Sequence, residues 1–186
     1  FDSFIAKEAG EHGTTQVTLA QFDDQYELVY SDRAIGGVPA LTLEPRGRTA
    51  LLDAIGRFIT EVGAGLAALP EDQRPGAVTV LVMTDGHENA SRQWTADAVR
   101  SLIAQQEAVY GWDFVFLGAN MDAVEVGSNL GFAPGKSLTY DADADAVGGA
   151  WDAVASYSSR KRAMGPAGAP SIVFEDAERR GARKKR

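Results

Sequence analysis

Two oxygen-bearing side chains are set apart by their neighbours. Thr49 follows Gly47-Arg48 and opens a long amphipathic stretch, and Asp85 closes an apolar run just before Gly86. A hydroxyl and a carboxylate are hard donors, suited to Mg²⁺, Mn²⁺ or Ca²⁺ rather than to softer metals. Each also has a plainer role. Threonine is a natural N-cap, its oxygen satisfying a free amide of a helix's first turn, and aspartate before glycine is a common turn residue. Taken singly, Thr49 reads first as a cap and Asp85 equally well as a turn residue. His87 and Glu88 stand beside Asp85 and offer a general base, but the sequence places no nucleophile or second base near them, so His87 reads as an exposed loop residue.

The elements that must position these residues alternate. Ala77 to Met83 is almost unbroken apolar sequence rich in β-branched residues, which predicts a central parallel strand covered on both faces. Asp85 then falls where the strand leaves the sheet, and ligands of open α/β sheets bind outside the carboxyl ends of the strands. From Thr49 to Leu69 the residues Leu51, Leu52, Ile55, Phe58, Ile59, Val62, Leu66 and Leu69 form one stripe, opposite Asp53, Arg57 and Glu61. Gly56, Gly63 and Gly65 each weaken that helix by roughly 1 kcal/mol relative to alanine, so packing must hold it.

Upstream, Gln16 to Phe22 and Tyr26 to Tyr30 read as an antiparallel hairpin at a sheet edge, and Ser31 to Pro45 as a loop. Downstream, Thr95 caps a helix from Ala96 to about Tyr110. Trp112 to Leu117 is a second mostly apolar strand, and Asn120 caps a shorter helix through Leu130. Ser137 to Tyr140 is a brief strand, and a last helix runs from about Ala142 to Arg162. Strands alternating with helices predict a doubly wound, mostly parallel α/β sheet with an antiparallel edge strand.

With 186 residues, 45% hydrophobic and 24% charged, the composition is that of one soluble globular domain. Zero cysteines excludes disulfides and thiolate metal sites, and two separated histidines argue against zinc. Nine of the 18 Lys and Arg lie between Arg160 and Arg186, leaving nine bases against 23 acids in the remainder. So acidic a body argues against a nucleic-acid surface except through the basic end. The expected organisation is a domain over residues 1–164 and a flexible basic tail over 165–186, in which Ile172-Val173-Phe174 either meets a partner or packs on the domain. Asp141, Asp143 and Asp145 mimic the opening of a calcium loop, but Ala146 stands where that loop needs glycine and Asp152 where it needs glutamate. An acidic first helical turn explains the run.

The order of these pieces resembles a known family. A hairpin containing Gln21-Phe22-Asp23-Asp24, then Pro45-Arg46-Gly47-Arg48-Thr49-Ala50-Leu51-Leu52-Asp53-Ala54-Ile55, then Val80-Leu81-Val82-Met83-Thr84-Asp85-Gly86-His87-Glu88-Asn89 is similar to the von Willebrand factor A domain, in particular its intracellular-type bacterial members. The likeness spans roughly residues 1 to 160. It implies a Rossmann-like sheet carrying a metal-ion-dependent adhesion site (MIDAS), with Thr49 and Asp85 as metal residues, and a cytoplasmic, non-enzymatic protein-binding module. Its partner would be a protein offering an acidic side chain, an AAA+ ATPase or a larger assembly among the candidates, and no membrane is involved.

The chain departs from that pattern at its start. Phe1, Phe4 and Ile5 already fall on one helical face, with Gly10 as a stop, whereas the family's Asp-x-Ser-x-Ser motif follows a first strand that precedes helix one. The expectation is therefore an N-terminally truncated domain with two of the metal ligands, binding Mg²⁺ weakly or not at all, and folding poorly alone because its neighbouring strands would keep unpaired edges or close up on one another. Two rival functions follow from the same residues. One is a metal-dependent hydrolase, with Asp85 as ligand and His87 or Glu88 as base. The other is a scaffold that binds through the basic tail.

Overall fold

In a computed structural model, residues 1–43, 47–168 and 171–184 are described. Pro45 and Arg46 of the family-like motif, the Ala169-Pro170 end of the expected break, and Lys185-Arg186 lie outside them. The chain is α/β. Helix α1 (Asp2–Ala9) precedes strands β1 (Gln16–Phe22) and β2 (Tyr26–Ala34), and α2 (Leu51–Ala68) leads to β3 (Thr79–Thr84). Then come α3 (Ala96–Tyr110), β4 (Asp113–Ala119), α4 (Ala123–Leu130), β5 (Ser137–Tyr140), α5 (Ala144–Gly168) and α6 (Asp176–Gly181).

Strands β3, β4 and β5 form a parallel sheet in that order, with Thr84 beside Gly118 and Ala119 beside Tyr140. Helices cover both faces, as a sheet buried on two sides requires. Leu51, Ile55 and Ile59 of α2 and Val99 and Ile103 of α3 meet Val80, Val82, Phe114 and Phe116 on one side. On the other, Ala150, Trp151, Val154 and Tyr157 of α5 meet Val115, Leu117, Leu138 and Tyr140. Helix α1 joins this second layer, with Phe1 and Phe4 each 5.6 Å from the Trp151 ring.

Two expectations are corrected. The central strand is β4, in which every residue is buried and which pairs on both sides, and not β3, which pairs on one side only and whose Leu81 and Met83 are partly covered on the α5 face. The hairpin is not an edge strand of the parallel sheet either. β1 and β2 form a separate two-stranded ribbon, so among the described residues β3 keeps an unpaired edge. The ribbon is tied to the body through α2, where the Ala50 N–H donates to the Asp23 carbonyl at 2.6 Å and Phe22 packs on the first core. A bulge interrupts β1 and β2 where Asp32 takes a left-handed φ of 50° and its N–H donates to Thr18 Oγ1.

The stretch expected to be a flexible tail is instead folded against β5. Ile172, Phe174 and Ala182 are buried in the second core, and the Phe174 and Asp141 N–H groups bond the Gly135 and Ala182 carbonyls. Arg179 donates to the carbonyls of Ser137 and Gly135, and Arg160 grips Glu178 at 2.6 and 3.0 Å. Much of the basic end is thus spent inside the molecule. The break itself falls at Gly165, whose φ of 67° glycine tolerates without strain. Among the described residues no helix is long and apolar enough to cross a membrane.

Candidate functional site

The loop after β3, residues 85–94, is laid across the start of α2 and fastened there by two carboxylates. Glu88 accepts from the Leu52 N–H at 2.9 Å, the Ala90 N–H at 2.9 Å, and the Ser91 N–H and hydroxyl at 2.7 Å each. Burial alone would raise its pKa, but these hydrogen bonds to the ionised form outweigh burial and hold it below the usual glutamate range. Asp53, from within α2, reaches back to the N–H groups of Arg92, Gln93 and Trp94 at 2.8 to 2.9 Å. Those bonds lower its pKa against a desolvation effect that opposes them. The Trp94 ring then lies on Gly56, where a Cβ would collide with the indole. The glycine that costs helix propensity is the one that lets the loop dock.

This fastening changes what is left for the residues singled out above. Thr49 does not cap α2. Ala50 holds the N-cap position without a side-chain bond, while Glu88 takes the Leu52 N–H and Ser91 Oγ the Asp53 N–H. Thr49 is held by its backbone, its N–H donating to Asn89 Oδ1 and its carbonyl accepting the Asn89 N–H, both at 3.0 Å. The turn after β3 does not use Asp85 either. Thr84 Oγ1 accepts the Gly86 N–H at 3.2 Å and donates to the Gly86 carbonyl at 3.0 Å. Neither the Thr49 hydroxyl nor the Asp85 carboxylate bonds a described residue.

The two are neighbours. Gly86 lies so close to Thr49 that a Cβ there would strike Oγ1, which puts the hydroxyl beside the residue that follows Asp85, at the carboxyl end of β3. Asp85 is exposed and Thr49 half-buried. Tyr140, at the end of β5, completes the neighbourhood: burial, reinforced by the charge of Asp85, pushes its hydroxyl pKa up to about 12. A hard cation would find one neutral and one anionic oxygen here, a chemically fitting but sparse donor set. Among the described residues no group of three or more His, Asp or Glu side chains could hold a metal.

The other candidates are otherwise engaged. Glu88 is spent as a clasp and is kept ionised, and His87 is exposed and makes no side-chain bond to a described residue. Of the calcium-like run, Asp141 accepts from Arg183 and the Lys184 N–H, and Asp143 accepts the Ala146 N–H in the first turn of α5. Sequence reasoning missed the paired clasps Glu88 and Asp53. No local pattern displays them, because the Leu52 N–H that Glu88 accepts lies 36 residues upstream. No family model matches the chain, and neither does any curated protein or solved structure.

Proposed function

We propose that the chain is a protein-binding module of von Willebrand factor A type, in which Thr49 and Asp85 hold a divalent cation that takes up a carboxylate from a protein partner. One observation supports this reading: the Thr49 hydroxyl lies against Gly86, the residue that follows Asp85 at the carboxyl end of β3, and Glu88, Ser91 and Thr84 perform the capping and turn duties that Thr49 and Asp85 would otherwise have. Ligands of open α/β sheets bind at that rim. Mg²⁺ or Mn²⁺ would supply a hard positive charge there, making the rim beside Asp85 an acceptor for a carboxylate. The chain's own part is placement. Glu88 and Asp53 fix the loop on α2, and Gly86 brings the Asp85 backbone against Thr49.

With two protein oxygens the affinity is expected in the millimolar range or weaker, since affinity grows with ligand charge count and site rigidity. The test therefore reads position instead of tightness. Substoichiometric Mn²⁺ should broaden the backbone amide signals of residues 47–50 and 85–87 before all others, and Asp85→Ala should abolish the effect. Broadening spread over the acidic surface, or unchanged in Asp85→Ala, would remove this reading.

A further inference from the structure

Buried tyrosine hydroxyls usually find a partner, and two of the five tyrosines here do. Tyr157 donates to Asp113 and Tyr26 to Glu61. Tyr140 differs. The residue is 5% exposed and packed in the second core, yet its hydroxyl bonds no described residue and is not among the sealed, unsatisfied atoms. A polar tip that is open at the end of a buried ring has been left available at a surface.

The sheet register says which surface. Thr84 pairs with Gly118, Gly118 with Thr139, and Ala119 with Tyr140, so Asp85 stands level with Ala119 and Tyr140. Two strand spacings separate Asp85 from Tyr140, about 10 Å between Cα atoms. The intervening residue carries only a methyl group. Ala119 and Tyr140 both face α5, the side on which Leu81 and Met83 lie, and Asp85 follows β3 directly where the chain turns at the rim. Asp85 is also the charged group whose field reaches the Tyr140 hydroxyl.

Resting on the reading above, we infer that Tyr140 is a binding residue of the same rim site, its hydroxyl donating a hydrogen bond to the carboxylate taken up beside Asp85. A phenol kept protonated by burial is a donor at every physiological pH. It adds direction to a site whose cation supplies charge alone, and it favours a planar, two-oxygen ligand such as a glutamate or aspartate side chain over a single anionic atom.

The test uses the full chain with ring-labelled tyrosine, Mn²⁺ as the metal probe and acetate as the carboxylate probe. Mn²⁺ should broaden the Tyr140 ring signals ahead of those of Tyr26, Tyr30, Tyr110 and Tyr157. Tyr140→Phe should melt as the parent does, because the hydroxyl bonds no described residue, and should take up acetate in the presence of Mn²⁺ about three- to tenfold more weakly, the worth of one hydrogen bond. If Mn²⁺ settles at residues 85–87 while Tyr140→Phe takes up acetate like the parent, or another tyrosine broadens first, the inference fails and the cation site stands. If Mn²⁺ does not settle there, both fall.

Discussion

Asp113 and Asp85 are aspartates at strand ends of one sheet, and the molecule treats them in opposite ways. Asp113 opens β4 at the amino rim, 3% exposed, with Lys136 Nζ at 2.6 Å, Lys161 Nζ at 2.9 Å and the Tyr157 hydroxyl at 2.9 Å. Lys161 also donates to Thr79 Oγ1. Asp85 follows β3 at the carboxyl rim, exposed and without a partner among the described residues. Residue type is the same and environment decides the role. At the amino rim, one carboxylate from β4 pairs with ammonium groups from α5 and from the turn before β5 and locks three elements together. At the carboxyl rim, the polar atoms have been relieved of structural work.

The strongest way to break the comparison is at the locked end. Asp113→Ala leaves two ammonium groups buried without their counter-ion, and removing one partner of a buried pair costs about 3–5 kcal/mol. Denaturant titration should show that loss, with Mn²⁺ broadening at residues 85–87 preserved wherever the protein stays folded. A loss below about 1 kcal/mol, the range of exposed pairs, would mean the amino rim is no lock.

Next in size is the clasp that frees the carboxyl rim. Glu88→Ala removes the acceptor for three N–H groups and one hydroxyl and uncaps α2, an expected cost of about 2 kcal/mol. Amides at residues 90–94 should then exchange faster than those inside β4. Acid acts on the same groups. Asp113, Glu88 and Asp53 all have folded-state pKa values below their ordinary ones; for Asp113 the Lys136 bond and the Lys161 charge overcome a burial effect that alone would raise it. Their contribution is present above the unfolded-state values of about 4 and is lost as pH falls through the lower folded-state values. Stability should hold from neutral pH to about pH 4 and drop below it. A fall between pH 7 and 5 would point to other groups.

Legibility followed physical range. The helices from Leu51, Ala96 and Ala123 and the strands at Thr79, Asp113 and Ser137 carry their signals within a few residues, so their type and order were readable and their ends nearly so. The identity of the central strand was not, because burial on both faces reads the same whether a strand has one neighbour or two. Val80 and Val82 are buried under α2 and α3, yet Leu81 and Met83 on the α5 face are only partly covered. The fate of residues 171–184 was hidden for a related reason: Arg160, Arg179 and Arg183 look like a solvated charge run until their partners Glu178, Ser137 and Asp141 arrive from elsewhere. The edges show the same contrast. β5 is covered by that segment and β2 is broken by its bulge, whereas β3 has no strand partner on its outer side among the described residues, an edge natural sheets usually protect. At the candidate site, the sequence supplied Thr49 and Asp85 as residue types and places. That their hydroxyl and carboxylate are unspent depended on long-range bonds from Glu88 and Ser91, which no local pattern displays.

The smallest predicted effect discriminates most sharply. Asp85→Ala removes a charge that bonds nothing described, so unfolding free energy should change by no more than about 0.5 kcal/mol, the usual range for surface positions without special features. Relief of repulsion in an acidic body favours a slight gain. A loss above about 1 kcal/mol would mean that the carboxylate supports the turn after all, a duty the geometry gives to Thr84, whose hydroxyl already holds the Gly86 N–H and carbonyl. Thr84→Ala is the matched control. It strips that turn of both bonds and should cost more than Asp85→Ala, even though it is one residue away and carries no charge.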